Sequence, residues 1–239
     1  MSDFARGQSY LELPGWEHDS RLLDLVRECV ALQRRDLPPA GIDREGSVAA
    51  RAAVSEESLE VILRSGSDVH GISLQPEISN AIVFNADQIA TAVHVAAVRA
   101  ARESLDAHVS EKLRALIRDA RATVHASGHF WYPPAGYMGW HTNSQRPGWR
   151  LYVTHADEPG KSFFRYRDPD SGRIITSMDD QWTFRVFRAD RKRPLWHAIY
   201  SDTNRFSFGY RVRPWSLKRA LRRRLRGASA NPRLGADGA

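Results

Sequence analysis

The sequence predicts an α+β chain in which an N-terminal helical layer precedes a jelly roll. Up to about residue 127 the apolar residues recur at helical spacing, whereas residues 128–212 are aromatic and β-branched, cut by turn signals at intervals of roughly ten residues. Hydrophobic residues make up 42% and charged residues 26% of the 239 positions, the balance of a packed globular chain rather than a disordered one.

In chain order, residues 17–36 read as an amphipathic helix. Leu22, Leu23, Leu25, Val26, Val30 and Leu32 share a stripe, Asp19 or Ser20 caps the start, and Pro38-Pro39 stops it. Residues 55–64 form a shorter helix, with Ser55, Glu57 and Glu60 loading its first turns and Gly66 beyond its end. Residues 85–126 carry a long Ala-rich helical pattern, with Leu113, Leu116 and Ile117 on one side and a break near Ser110. His70, His94, His108 and His125 lie in this half without any pairing at metal-site spacing. Eight strands follow, over 129–132, 137–141, 149–155, 162–167, 173–177, 182–188, 195–201 and 205–212. The turns between them carry Pro-Gly, Asp-Pro-Asp-Ser-Gly and Asp-Asp sequences, and eight short strands with no helix between them suggest two four-stranded sheets around one interior. The expected division is 1–127 helical region packing on the sheet, 128–212 jelly-roll core, and 213–239 basic tail with a helix over 217–226.

The net charge of +7 is a property of that tail. Nine Lys/Arg and one acid lie from Arg211 onward, leaving the preceding residues close to neutral. Lys218, Arg219, Arg222, Arg223, Arg224 and Arg226 read first as a solvated face. If they hold a ligand, RNA, DNA and an acidic partner fit equally, so nucleic acid is not favoured. No apolar stretch is long enough to span a membrane, and residues 1–13 lack the basic and apolar regions of a secretory signal. Cys29, the single cysteine, excludes an internal disulfide and a cysteine zinc cage. A cytoplasmic setting is expected.

Four features of the β region could carry chemistry. His141 ends the second strand and His197 lies in the seventh. Arg205 and Ser207 open the eighth, and Tyr132 ends the first. In a jelly roll the second and seventh strands are antiparallel neighbours, so the two imidazoles can meet at one mouth. Strand alternation places Arg205 and Ser207 on a common face. Two imidazoles with a guanidinium deeper in suit a dicarboxylate that chelates a metal at one end and meets a cation at the other. Taken singly, each His is more often a core imidazole and Arg205 a rim salt bridge. Trp131, Trp140, Trp149, Trp182 and Trp196 read mainly as sheet packing, with Trp140 the best placed to touch a substrate. Arg150 and Arg185 face the interior in one strand register and solvent in the other. His155-Ala-Asp157 is a rival His-x-Asp, ending the third strand in the sheet opposite His197.

The run Tyr132-Pro-Pro-Ala-Gly, His141-Thr-Asn143, His197 and Arg205-Phe-Ser207 resembles the iron(II)- and 2-oxoglutarate-dependent oxygenases, above all their prolyl-hydroxylase-like and AlkB-like branches. The likeness spans residues 128–212. It implies a double-stranded β-helix in which His141 and His197 ligate Fe(II) and 2-oxoglutarate chelates the same ion. By the same likeness Arg205 meets the far carboxylate, helped by Ser207 and Tyr132. The implied reaction is hydroxylation of a small molecule or peptide side chain, releasing succinate and CO2. The family's third ligand, an Asp, is Asn143 here. Three readings follow: Asn143 binds iron weakly or through water, a halide takes the position as in radical halogenases, or the chain is a non-catalytic binding module. The first is preferred, because halogenases place Ala or Gly there and Asn fills the space.

Overall fold

The computed structural model of the chain describes residues 8–35, 37, 44–65, 84–85 and 94–213. The elements are β1 (Tyr10–Glu12), a 3-10 turn (Trp16–His18), α1 (Ser20–Arg34), α2 (Arg44–Ala53), α3 (Glu56–Arg64), β2 (Phe84–Asn85) and α4 (Val95–Leu116). Eight strands follow: β3 (Thr123–Tyr132), β4 (Gly136–His141), β5 (Gly148–Ala156), β6 (Ser162–Arg167), β7 (Ile174–Met178), β8 (Trp182–Ala189), β9 (His197–Ser201) and β10 (Arg205–Arg213). They form two antiparallel sheets, one ordered β1-β8-β5-β10-β3-β2 and the other β4-β9-β6-β7. Counted from β3, the first, third, sixth and eighth strands share the larger sheet and the second, fourth, fifth and seventh the smaller. That alternation is the α+β jelly roll, or double-stranded β-helix.

Strand alternation divides each sheet into two faces. Val153, Phe184, Phe206 and Phe208 leave the outer face of the larger sheet to meet Leu22, Leu25 and Val26 of α1 and Leu105 and Val109 of α4. Tyr137, Trp140, Trp196, Ala198 and Tyr200 leave the outer face of the smaller sheet to meet Ala50, Val54 and Leu59 of α2 and α3. The helical half therefore covers both sheets rather than one. Between the sheets lie Tyr132, Tyr152, Phe164, Phe187 and Ile199.

Asp19 shows how the helices are tied to each other. Its side chain caps α1 by accepting from the Leu22 N–H at 3.0 Å, and its other oxygen accepts from Lys112 Nζ at 2.8 Å and meets His108 Nε2 at 3.0 Å on α4. Asp19→Ala removes the cap and the cross-helix tie together. Urea denaturation is expected to show a loss of about 1–2 kcal/mol, the upper part of the range for a lost N-cap.

Three expectations are corrected. The pattern over 85–126 holds one helix, α4, unbroken at Ser110, and Asn85 belongs to β2. Residues 123–126 are strand, pairing with Arg213 to Tyr210, so β3 starts before residue 129. β10, paired to β5 on its other side, offers backbone partners there, and long-range pairing overrides local helical preference. α2 was not foreseen. The Pro38-Pro39 stop, His70, the 217–226 helix and the tail lie outside the described residues. Among the described residues no helix is long and apolar enough to cross a membrane.

Candidate metal and anion site

His141 and His197 stand opposite each other in the β4–β9 ladder, with ring centroids 4.0 Å apart. A β-bulge puts them there. From Met138 to His141 β4 advances three residues while β9 advances two, from Ile199 to His197. Without the extra residue, alternation from the inward Met138 would turn Trp140 inward and His141 outward. With it, Trp140 packs outside and His141 faces in, the re-aiming that bulges commonly perform. Trp140 donates from Nε1 to the Ser55 carbonyl at 2.8 Å beneath α3, so its expected role at the substrate is corrected to a packing one.

Both rings are held in one tautomer. His141 Nδ1 lies 2.8 Å from the Gly139 carbonyl and His197 Nδ1 3.0 Å from the Leu195 carbonyl, so each Nδ1 carries hydrogen and each Nε2 a lone pair. A backbone carbonyl accepting from the far ring nitrogen is the usual support of a metal-binding imidazole. Burial lowers the basicity of both, and the nearness of His141 lowers that of His197 further, so both are neutral at ordinary pH. Phe164 stacks on His197 at 5.2 Å and Phe187 lies 4.8 Å from it, fixing the ring.

Asn143 adopts φ 55°, a left-handed conformation that Asn tolerates better than most residues. Its amide nitrogen lies 3.2 Å from His197 Nε2, and its side chain also hydrogen-bonds Tyr152. The residue thus lies within hydrogen-bond reach of the imidazole pair, and a half-turn of the amide offers it either an N–H donor or an oxygen. Among the described residues no group of three His, Cys, Asp or Glu is arranged to hold a metal. The donor set is two imidazoles and one amide, which fits a divalent ion that takes further ligands from its cosubstrate.

Elsewhere in the interior lies a fully buried charge cluster. Asp179, in the turn between β7 and β8, accepts from Arg205 Nε at 2.8 Å, Arg185 Nη1 at 2.5 Å and Ser162 Oγ at 2.6 Å. Arg205 Nη2 also reaches Thr154 Oγ1 at 3.3 Å, and Arg185 Nη2 reaches Ser177 Oγ at 3.0 Å. Two guanidiniums against one carboxylate leave one positive charge, and Arg205 Nη1 and Arg185 Nε are buried without partners. The cluster thus keeps donor capacity beyond what Asp179 satisfies. Tyr132 lies with its ring under the Arg205 guanidinium at 5.1 Å, and Ser207 is buried two residues along β10.

The structure settles the strand registers that sequence left open, since Arg185 lies with Asp179 and Arg150 is 4% exposed. Asp179 itself was missed, because Met178-Asp179-Asp180 reads as turn chemistry. Arg185 at an inward position of β8 was the signal of its need for a partner. His155 packs against Trp182 and Phe206 on the outer face of the larger sheet, away from the imidazole pair, which removes the rival His-x-Asp.

The fold and site together define a double-stranded β-helix with an internal imidazole pair. No protein-family model matches the sequence, and no curated protein matches it. Among solved structures the chain is similar to a prolyl-4-hydroxylase from Pseudomonas putida (11% identity, TM-score 0.42, covering 88% of this chain and 95% of that one). It is also similar to a 2OG-Fe(II) oxygenase family oxidoreductase from Burkholderia pseudomallei (10%, TM-score 0.37, 79% and 89%). A third is the Trichoplax adhaerens prolyl hydroxylase in complex with a hypoxia-inducible-factor peptide fragment (14%, TM-score 0.38, 87% and 97%).

Proposed function

We propose that the protein is an Fe(II)- and 2-oxoglutarate-dependent oxygenase. The observation that carries this reading is the bulge-positioned pair His141 and His197, cross-strand neighbours with ring centroids 4.0 Å apart and both Nδ1 atoms engaged by backbone carbonyls, which leaves each Nε2 as the metal-binding nitrogen. Iron with 2-oxoglutarate and O2 supplies the oxidising power to hydroxylate a C–H bond, with release of succinate and CO2. The chain's own part is positioning. His141 and His197 hold the ion in a fixed tautomer, and Asn143 offers a neutral oxygen as the third contact. Phe164 and Phe187 keep water from the rings, and Arg205 Nη1 is the free donor for the cosubstrate's far carboxylate. The substrate is a small molecule or a peptide side chain.

Succinate formed on adding Fe(II) and 2-oxoglutarate, measured with and without O2, tests the reading. Absence of succinate from iron-loaded protein overturns it. A second reading, a non-catalytic binding module, draws on the cluster in which Asp179 already engages Arg205. Asn143→Asp is expected to tighten Fe(II) binding at least about tenfold, because a carboxylate adds a charge-assisted contact to the ion. Equilibrium dialysis checks it, and unchanged affinity means that position 143 does not face the metal.

A further inference from the structure

The imidazole end of the barrel carries a second group of arginines, separate from Arg185 and Arg205. Arg211 of β10 stands directly opposite Arg150 of β5 on one side and His125 of β3 on the other, on the inward-facing alternation of each strand. Arg213 follows on the same face of β10. Arg146 lies in the β4–β5 turn, where its N–H donates to the Asn143 carbonyl at 3.2 Å. The group is next to the metal site. Arg150 is the ladder partner of Phe187, the ring 4.8 Å from His197, and Asn143 and Arg146 are the two ends of one hydrogen-bonded turn.

Nothing within the described residues neutralises these charges. None of Arg146, Arg150, Arg211 and Arg213 forms an ion pair with a carboxylate there. Arg150 is pinned by donating from Nη2 to the Arg146 carbonyl at 2.6 Å, yet its Nη1 is buried without a partner, as is Arg211 Nε. Burial pushes Arg150 down to about 10, and the charges of Arg211, Arg213 and Arg146 add to that push. Like charges directly across a ladder are destabilising, and a buried N–H without an acceptor costs more. A dianion bridging the two guanidiniums removes both penalties, and paired planar forks match the oxygens of a phosphate.

We propose that this rim binds the phosphate group of a small phosphorylated substrate, which defines the substrate class of the iron site. The inference rests on the proposed function for its link to oxidation, though not for the binding itself. Arg150, Arg211 and Arg213 share the inward alternation of two paired strands beside the Asn143–Arg146 turn, which suits a single phosphate group better than a polymer lying along an exposed stripe.

Phenyl phosphate and inorganic phosphate titrated calorimetrically into the metal-free full chain give the test. Binding is expected in the wild type, with an affinity at least about tenfold lower in Arg211→Gln and in Arg146→Gln, the less buried positions whose replacement the fold tolerates. Arg150→Lys keeps the charge but loses the fork and is expected to fall between. The tail variant R222Q/R223Q is expected to bind as the wild type does. Equal phosphate affinity in wild type and Arg211→Gln overturns the proposal. So does a short oligonucleotide that binds more tightly than phenyl phosphate and loses that binding in R222Q/R223Q, which assigns the anion site to the tail. Fe(II) affinity is measured separately, so a failed iron site and a failed phosphate site are told apart.

Discussion

His197→Ala is expected to abolish Fe(II)-dependent succinate formation, a loss of at least about a hundredfold. Removing an outer-shell support of a metal ligand already costs 10–100-fold, and this change removes a proposed ligand itself. The ring is fully buried, lies 4.0 Å from His141 centroid to centroid, and donates from Nδ1 to the Leu195 carbonyl. Truncation therefore removes half of the proposed iron-binding pair and leaves Asn143 without its 3.2 Å neighbour. Far-ultraviolet circular dichroism separates lost chemistry from lost fold. His155→Ala serves as the matched control, because that imidazole sits on the outer face against Trp182 and is expected to leave turnover unchanged. Succinate release persisting in folded His197→Ala would show that the imidazole pair is not the iron site.

The strands of the jelly roll were legible because their signals are local. Aromatic and β-branched runs between Pro, Gly and Asp turns gave β4 to β10 within a residue or two, and β6 at both ends. The imidazole pair was legible for a related reason: strand order alone makes the second and seventh strands neighbours. What stayed hidden depended on partners distant in sequence. Thr123-Val124-His125-Ala126 becomes strand only because β10 lies beside it, and β1 and β2 are short edge additions to a sheet built elsewhere. Trp140 and His141 exchange faces at a bulge, and a one-residue slip is invisible to period-two counting. Asp179 is a turn residue in sequence and a buried counter-ion in space, since Ser162, Arg185 and Arg205 reach it from three different strands.

That counter-ion is where stability should be most exposed to a single atom change. Asp179→Asn keeps the shape but removes the carboxylate that contacts both guanidiniums, all three side chains having no exposed surface. Breaking a buried ion pair by neutralising one partner leaves uncompensated charge and costs about 3–5 kcal/mol. Urea denaturation of the variant is expected to show a loss of that size. Adding Arg185→Met should recover part of it, because one of the stranded charges is then gone and an apolar chain takes its volume. The pH dependence has a definite sign. Burial would raise the Asp179 carboxyl, but the charges of Arg205 and Arg185 outweigh it and hold the folded-state value well below the ordinary carboxylate range. A depressed folded value means that the contribution is complete above the unfolded carboxylate value, about 3.9, and is lost as pH falls from there toward the folded value. Wild type should therefore lose stability steeply below about pH 4, and Asp179→Asn should show a shallower acid limb. The same variant frees the Arg205 guanidinium, so its response to 2-oxoglutarate is informative. Tighter cosubstrate binding in Asp179→Asn would mark Asp179 as a competitor for the anion site. Weaker binding would mark it as the group that holds Arg205 in place, and parallel acid limbs in wild type and variant would remove the cluster from the account of stability altogether.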